Sequence, residues 1–277
     1  MAFDINNFVI DETKRVFSRN PDTGAMNFLV AQIEDAQITC DSEEVTKNDA
    51  KGTPIAKWSQ AKTANFSASN SLLDFSLMSW QFNGENKTVA KSGAALNAPA
   101  IEEYKATGAT TEYTLANPVV AEADGSYKIT VALLTRDGAC KKNFVQKSVG
   151  DLATGEFKYT YTSSTPKLTF YSGDIVAGDK LFIAYEYSTE NAVAVYNSAD
   201  KYATAQEMWV EVLGHDICSA GTIYHGYVVF PNASLSASTT VALTRDTSFP
   251  FEFSATQDYC SDEHELFRIV IPQPASE

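Results

Sequence analysis

The stretch Pro54-Ile55-Ala56-Lys57-Trp58-Ser59-Gln60-Ala61-Lys62-Thr63-Ala64-Asn65-Phe66-Ser67-Ala68-Ser69 decides the fold class. Ala56, Trp58, Ala64, Phe66 and Ala68 occupy even positions, while Lys57, Ser59, Thr63, Asn65 and Ser67 occupy odd ones. A period of two turns one set toward a core and the other toward water or a polar neighbour, as in a half-buried β-strand. Gln60 and Lys62 interrupt the apolar phase midway, which predicts a bend or hairpin there. Upstream, Ala36, Ile38 and Cys40 alternate in the same way with Gln37, Thr39 and Asp41.

Downstream the period changes. Between Ser71 and Trp80, Leu73, Leu77 and Trp80 recur at i, i+4 and i+7, with Leu72 and Phe75 alongside. This predicts the one substantial helix, packed on a sheet through its apolar stripe. Ser71 followed by Asp74 resembles a capping box, and Gly84 is placed to end the helix in the left-handed conformation. Residues 83–99 are small and polar and read as a linker or exposed loop.

A strand-rich block follows. Tyr127, Ile129, Val131 and Leu133 alternate, as do Phe157, Tyr159 and Tyr161, and then Leu181, Ile183, Tyr185 and Tyr187. Asp124-Gly125, Asp137-Gly138 and Gly178-Asp179 supply turns. The pattern predicts an immunoglobulin-like β-sandwich over residues 101–195. Longer strands are expected at 207–213, 222–230, 249–255 and 266–271. The N-terminal third has too few strands to close a sheet, and the C-terminal third has strands without a helix. The economical reading is one discontinuous β domain, 1–100 with 196–277, carrying 101–195 as an insertion.

Composition narrows the function. The 277 residues include 35 acids and 21 bases, for a net charge of −14, which argues against a surface that grips nucleic acid. At 44% hydrophobic and 20% charged, the chain is neither disordered nor collagen-like. No apolar run approaches the ~20 residues of a membrane helix. The first residues, Met1 to Phe8, show no basic segment followed by an apolar one, so synthesis in the cytoplasm of the producing cell is expected. Cys40, Cys140, Cys218 and Cys260 lie far apart and read as buried free thiols of a reducing compartment.

Catalytic constellations are poor. The chain contains no GxSxG, Walker GxxxxGK[ST], GxGxxG or HExxH motif and only three histidines, so no enzyme activity, catalytic residue or cofactor is expected. His215-x-x-Cys218 with Cys260-x-x-x-His264 offers four N/S donors of the kind zinc takes. A straight strand, however, would turn His215 and Cys218 to opposite faces, so a surface histidine beside a buried thiol is preferred and no metal is expected. Glu43, Glu44 and Asp49, and separately Asp262, Glu263 and Glu265, lack EF-hand spacing and read as solvated loops. Tyr159, Tyr161, Phe170, Tyr171, Tyr185 and Tyr187 allow a sugar-stacking platform, although cross-strand aromatic pairs explain them equally well.

One family resemblance adds to this reading. It rests on Ala50-Lys51-Gly52-Thr53-Pro54-Ile55 leading into Lys62 to Asn70, and on the helix Leu72-Leu73-Asp74-Phe75-Ser76-Leu77-Met78. It also rests on Phe249-Pro250-Phe251-Glu252-Phe253-Ser254-Ala255 and on the late strand Leu266 to Ile271. In this order the pieces resemble the tail tube (major tail) proteins of long-tailed bacteriophages, over 20–82 and 200–272, with the middle block as an addition. The resemblance implies an all-β fold with one helix, a tail-tube-type β-sandwich/barrel core carrying an inserted β-sandwich domain. It implies a virion structural protein made in the host bacterial cytoplasm and found in the tail, with itself and other tail proteins as partners and no membrane.

In that family six subunits close a ring, and stacked rings form a lumen through which DNA passes without specific binding. On this reading Lys57, Ser59, Thr63, Asn65 and Ser67 face the lumen, and Glu34, Asp35, Asp41, Glu43 and Glu44 supply a negative field that repels phosphate. The alternatives are a baseplate or tail-tip component, or a carbohydrate-binding adsorption protein acting through Tyr159 and Tyr185.

Overall fold

The chain opens with four strands, β1 (Phe8–Arg19), β2 (Met26–Val30), β3 (Ile33–Asn48) and β4 (Pro54–Asn70), and one helix, α1 (Phe75–Asn83). Next come β5 (Thr88–Val89), β6 (Leu96–Lys105), β7 (Glu112–Thr114), β8 (Ile129–Leu134) and β9 (Cys140–Asn143). They are followed by β10 (Val145–Gln146), β11 (Glu156–Thr162), β12 (Thr165–Phe170), β13 (Lys180–Thr189) and β14 (Val193–Ala194). The chain closes with β15 (Gln206–Asp216), β16 (Ser219–Leu235), β17 (Phe249–Ala255) and β18 (Arg268–Val270). The computed structural model describes residues 7–217, 219–245, 248–257 and 264–272. It is all-β with one helix, as the alternation predicts. Its contacts divide into two compact units, Met1–Thr88 with Val195–Glu277, and Val89–Ala194.

The first unit is a single sheet in the order β2-β1-β15-β16-β17-β4-β3, with β18 added to β16. Alternation aims Ala64, Phe66 and Ala68 of β4, Met208 and Val210 of β15, and Phe249, Phe251 and Phe253 of β17 into one core. Phe66 stacks on Phe253 at 4.7 Å between centroids, and Phe230 meets Phe253 edge-on at 5.0 Å. β2 and β3 stand at opposite ends of the strand order, yet only Ala31 and Gln32 separate them in sequence. That link spans at most about 10 Å, so the sheet must curl until its two ends nearly meet.

Helix α1 begins later than its apolar pattern predicts. Asp74 is the N-cap, and its Oδ1 accepts from the backbone N–H groups of Ser76 and Leu77 at 2.8 Å. Leu72 and Leu73 therefore precede the helix, and with Phe75 they stay exposed instead of forming a stripe. The helix buries Leu77 and Gln81, whose Nε2 donates to the Ser236 carbonyl at 2.7 Å. Gly84 ends it at φ +65°, donating to the Trp80 carbonyl. Residues 83–99, expected as a loop, hold the last residue of the helix, β5 and the start of β6.

The second unit has two four-stranded sheets, β10-β11-β12-β7 and β6-β13-β8-β9. Asp137-Gly138 joins β8 to β9, whereas Asp124-Gly125 lies in a tight loop closed by the bridge Ala121–Tyr127. Phe157, Leu168, Leu181 and Ile183 are wholly buried in its core. Tyr159 and Tyr185 belong to that core as well, at 8% and 4% exposure. The Tyr159 hydroxyl accepts from the Val119 backbone N–H, and the Tyr185 hydroxyl donates to Glu102 and accepts from the Asn117 N–H. Phe170 is buried too, so these three cannot stack on a sugar and the adsorption reading loses Tyr159 and Tyr185; of the series only Tyr161 and Tyr171 are exposed.

Burial, reinforced by hydrogen bonds to Glu102, pushes the Tyr185 and Tyr113 hydroxyls up to about 12. In the unfolded chain they ionise near 10, so the folded state holds more protons between those values. Their stabilising contribution is whole below pH ~10 and fades as pH rises toward ~12. Urea midpoints followed from pH 9 to 12 should fall over that window, and the fall should be shallower in the Tyr113→Phe/Tyr185→Phe variant. Equal slopes would contradict the assignment.

Candidate functional site

β3 and β4 pair along nearly their whole length, from Ile33 opposite Asn70 to Asn48 opposite Pro54. Among the described residues only the inner end of β4 has a second neighbour, because β17 pairs with residues 65–70. Outward from Thr63 the two strands continue by themselves as a ribbon. Every β4 residue from Pro54 to Thr63 is exposed, and no β3 residue is fully buried. A two-stranded ribbon alone in water is marginal, and unpaired strand edges template further pairing. The ribbon is thus an arm with two open faces. Its tip is held by Asp49, whose Oδ1 accepts from the N–H groups of Lys51 and Thr53 at 2.8 Å.

The arm corrects the face assignment that strict alternation predicts. Between the pairs Asp41–Thr63 and Glu43–Gln60, β4 sets Ala61 and Lys62 against the single residue Ser42, with Ala61 at φ +50°. This is a β-bulge, and one extra residue flips every side chain beyond it to the other face. It meets the expectation of a bend; the hairpin turn itself lies at residues 49–53.

Thr63, Asn65 and Ser67 accordingly share the outward face with Asp41, Thr39 and Gln37, their cross-strand partners. Lys57 and Ser59 lie on the reverse face, where Lys57 Nζ is 2.6 Å from Glu44 Oε2. Trp58, expected toward the core, is on the outward face opposite Val45 and 47% exposed.

The five acids divide in the same way. Glu34 lies opposite Ser69, Asp41 opposite Thr63, and Glu43 opposite Gln60, so these three share the outward face. Glu44 is on the reverse face, and Asp35 sits in a second bulge at φ +53°. Glu252 joins the outward set from β17, opposite Ser67. The inward alternation of Phe249, Phe251 and Phe253 carries the signal that identifies it. Charge is uneven along the chain: the first unit holds 23 acids and 11 bases, the second 12 and 10.

A separate ionic cluster braces the sheet. Glu211 on β15 is buried and meets Arg15, Lys14 at 3.7 Å and His225 Nδ1 at 2.7 Å. Burial raises its carboxyl pKa, but the hydrogen bonds from Arg15 and His225 outweigh that and hold it below the usual range.

His215 Nδ1 lies 2.8 Å from Asp11, and Cys218 and Cys260 fall outside the described residues, as do Asp262 and Glu263. Among the described residues no group of three or more His, Cys, Asp or Glu is arranged to hold a metal ion, and no helix is long and apolar enough to cross a membrane.

The sequence matches the YomU/Tube protein family over residues 8–269, a range that takes in the second unit as well as both flanks of the first. The chain belongs to the YomU/Tube protein family. Membership in the YomU/Tube family bears out the tail tube resemblance carried by residues 50–78 and 249–271. No curated protein matches the chain significantly.

Proposed function

We propose that this chain is a structural subunit of a phage tail tube, whose copies form rings, six to a ring, that stack around a channel for DNA. The observation that carries the reading is the arm, Asp41 to Thr63, a ribbon that the described residues leave exposed on both faces and that a neighbouring copy can cover. Rings that stack head to tail use heterologous contacts, which extend into filaments. No residue is assigned a catalytic role.

The outward face of β17, and of β3 and β4 only as far as Asp41 and Thr63 where the arm begins, is the proposed lumen surface. Glu34, Asp41 and Glu252 stand on it among Thr63, Asn65 and Ser67. Lys57 and Ser59, on the reverse face, leave the proposed lumen set. Acids on a channel wall repel phosphate, so DNA slides through without the counterion release that holds it to basic proteins. The tube would stand in the virion tail, with other tail proteins at its ends, after synthesis in the host bacterial cytoplasm.

Negative-stain electron microscopy of concentrated protein should show hollow rings or tubes. Cysteine placed at Asn65 or Ser67 in a background with Cys40, Cys140, Cys218 and Cys260 replaced by Ser should react with a bulky maleimide in the free subunit and be protected once tubes form. Equal reaction in both states would remove the lumen assignment, and persistent single particles would count against the tube.

A further inference from the structure

Both ends of β4 carry exposed apolar features. At the arm end, Trp58 is half exposed, pairs across the ribbon with Val45, and has Ala56 on the same face. At the other end, just past Asn70, Leu72, Leu73 and Phe75 are 62%, 49% and 46% exposed. Leu73 lines a cavity of about 410 Å³ together with Val241, Leu243 and Phe249, and Leu243 is 88% exposed. Clustered apolar exposure of this kind marks an interaction site. Trp58 and Leu73 lie fifteen residues apart, almost all of it strand, at a rise of ~3.3 Å each, or roughly 45 Å. β4 stays paired with β3 along that length, so Trp58 cannot reach the cavity of its own copy.

We propose that Trp58 of one copy enters the cavity between Leu73 and Leu243 of the next, joining copies head to tail. The inference rests on the tube reading and names the contact that reading needs. The occupant is a second copy of this chain because the arm alone offers the roughly 20–30 residues per side of a standard interface. A desolvated Trp is also a common anchor at such a centre. Knob and hole sit at opposite ends of one strand, so each docked copy presents an unused Trp58 at one end and an unused cavity at the other. Such a contact repeats along the direction of β4 and does not close on itself.

The test places p-benzoyl-L-phenylalanine at position 58 of the full chain, irradiates it under assembly conditions and maps the adducts by mass spectrometry. Intermolecular adducts should fall within residues 71–75 or 241–249. The Leu73→Asp/Leu243→Asp variant changes two exposed side chains, so it should melt within a few degrees of the parent while its adduct yield drops by about tenfold or more. Tubes whose adducts map elsewhere would overturn this contact and leave the tube reading standing. Protein that forms no particles at all would overturn both.

Discussion

Replacing residues 42–62 with a two-residue Asn-Gly turn, so that Asp41 and Thr63 face each other across a short hairpin, is expected to abolish assembly and spare the fold. None of the removed side chains is buried, and residues 65–70 of β4 keep both neighbours, β3 and β17. Loss of exposed residues outside any core shifts stability by about 0.5 kcal/mol or less each way, so the thermal midpoint should move by only about 2 °C. Sedimentation velocity should show one monomeric species at concentrations where the intact chain forms rings or filaments. A truncated chain that still assembles would show that the arm is not the joining element. A truncated chain that unfolds would show that the ribbon supports the core after all.

A large effect on stability from a single small substitution is expected at Gly84. A Cβ there would lie 2.4 Å from the Tyr202 carbonyl oxygen and 3.0 Å from the Thr204 nitrogen, both backbone atoms that cannot rotate away. The position also has φ +65°, where an L side chain costs roughly 1–2 kcal/mol by itself. Gly84→Ala should therefore lose about 2–4 kcal/mol and lower the melting temperature by about 5–10 °C. Gly24→Ala is the matched control, because φ is +68° but nothing lies within 4 Å of the added carbon. It should pay the conformational cost alone. Equal losses in the two variants would remove the steric argument.

Alternation was a good guide wherever a strand lies against a core. Ala64, Phe66 and Ala68 point inward as their even positions require, and β17 begins and ends where its Phe pattern does. It misled at Ala61, because an alanine in the left-handed conformation carries no mark in the sequence, and everything beyond it changes face. That one residue sends Trp58 outward and separates Lys57 and Ser59 from Thr63, Asn65 and Ser67.

Helical spacing misled at Leu72 and Leu73 for a different reason. Asp74 caps the helix more effectively than Ser71, so the apolar residues before it are left outside. Tyr159 and Tyr185 read as surface aromatics because composition does not show that buried backbone N–H groups and Glu102 await their hydroxyls.

β5 and β14 pair with each other, and the Ala90 N–H donates to the Ala192 carbonyl at 2.8 Å. Adjacent strands stand only ~4.8 Å apart, so the chain enters and leaves residues 89–194 at points one strand spacing apart. To the backbone on either side, this hundred-residue module is equivalent to a short loop. A foreign polypeptide whose own termini lie one strand spacing apart meets the same end-to-end requirement.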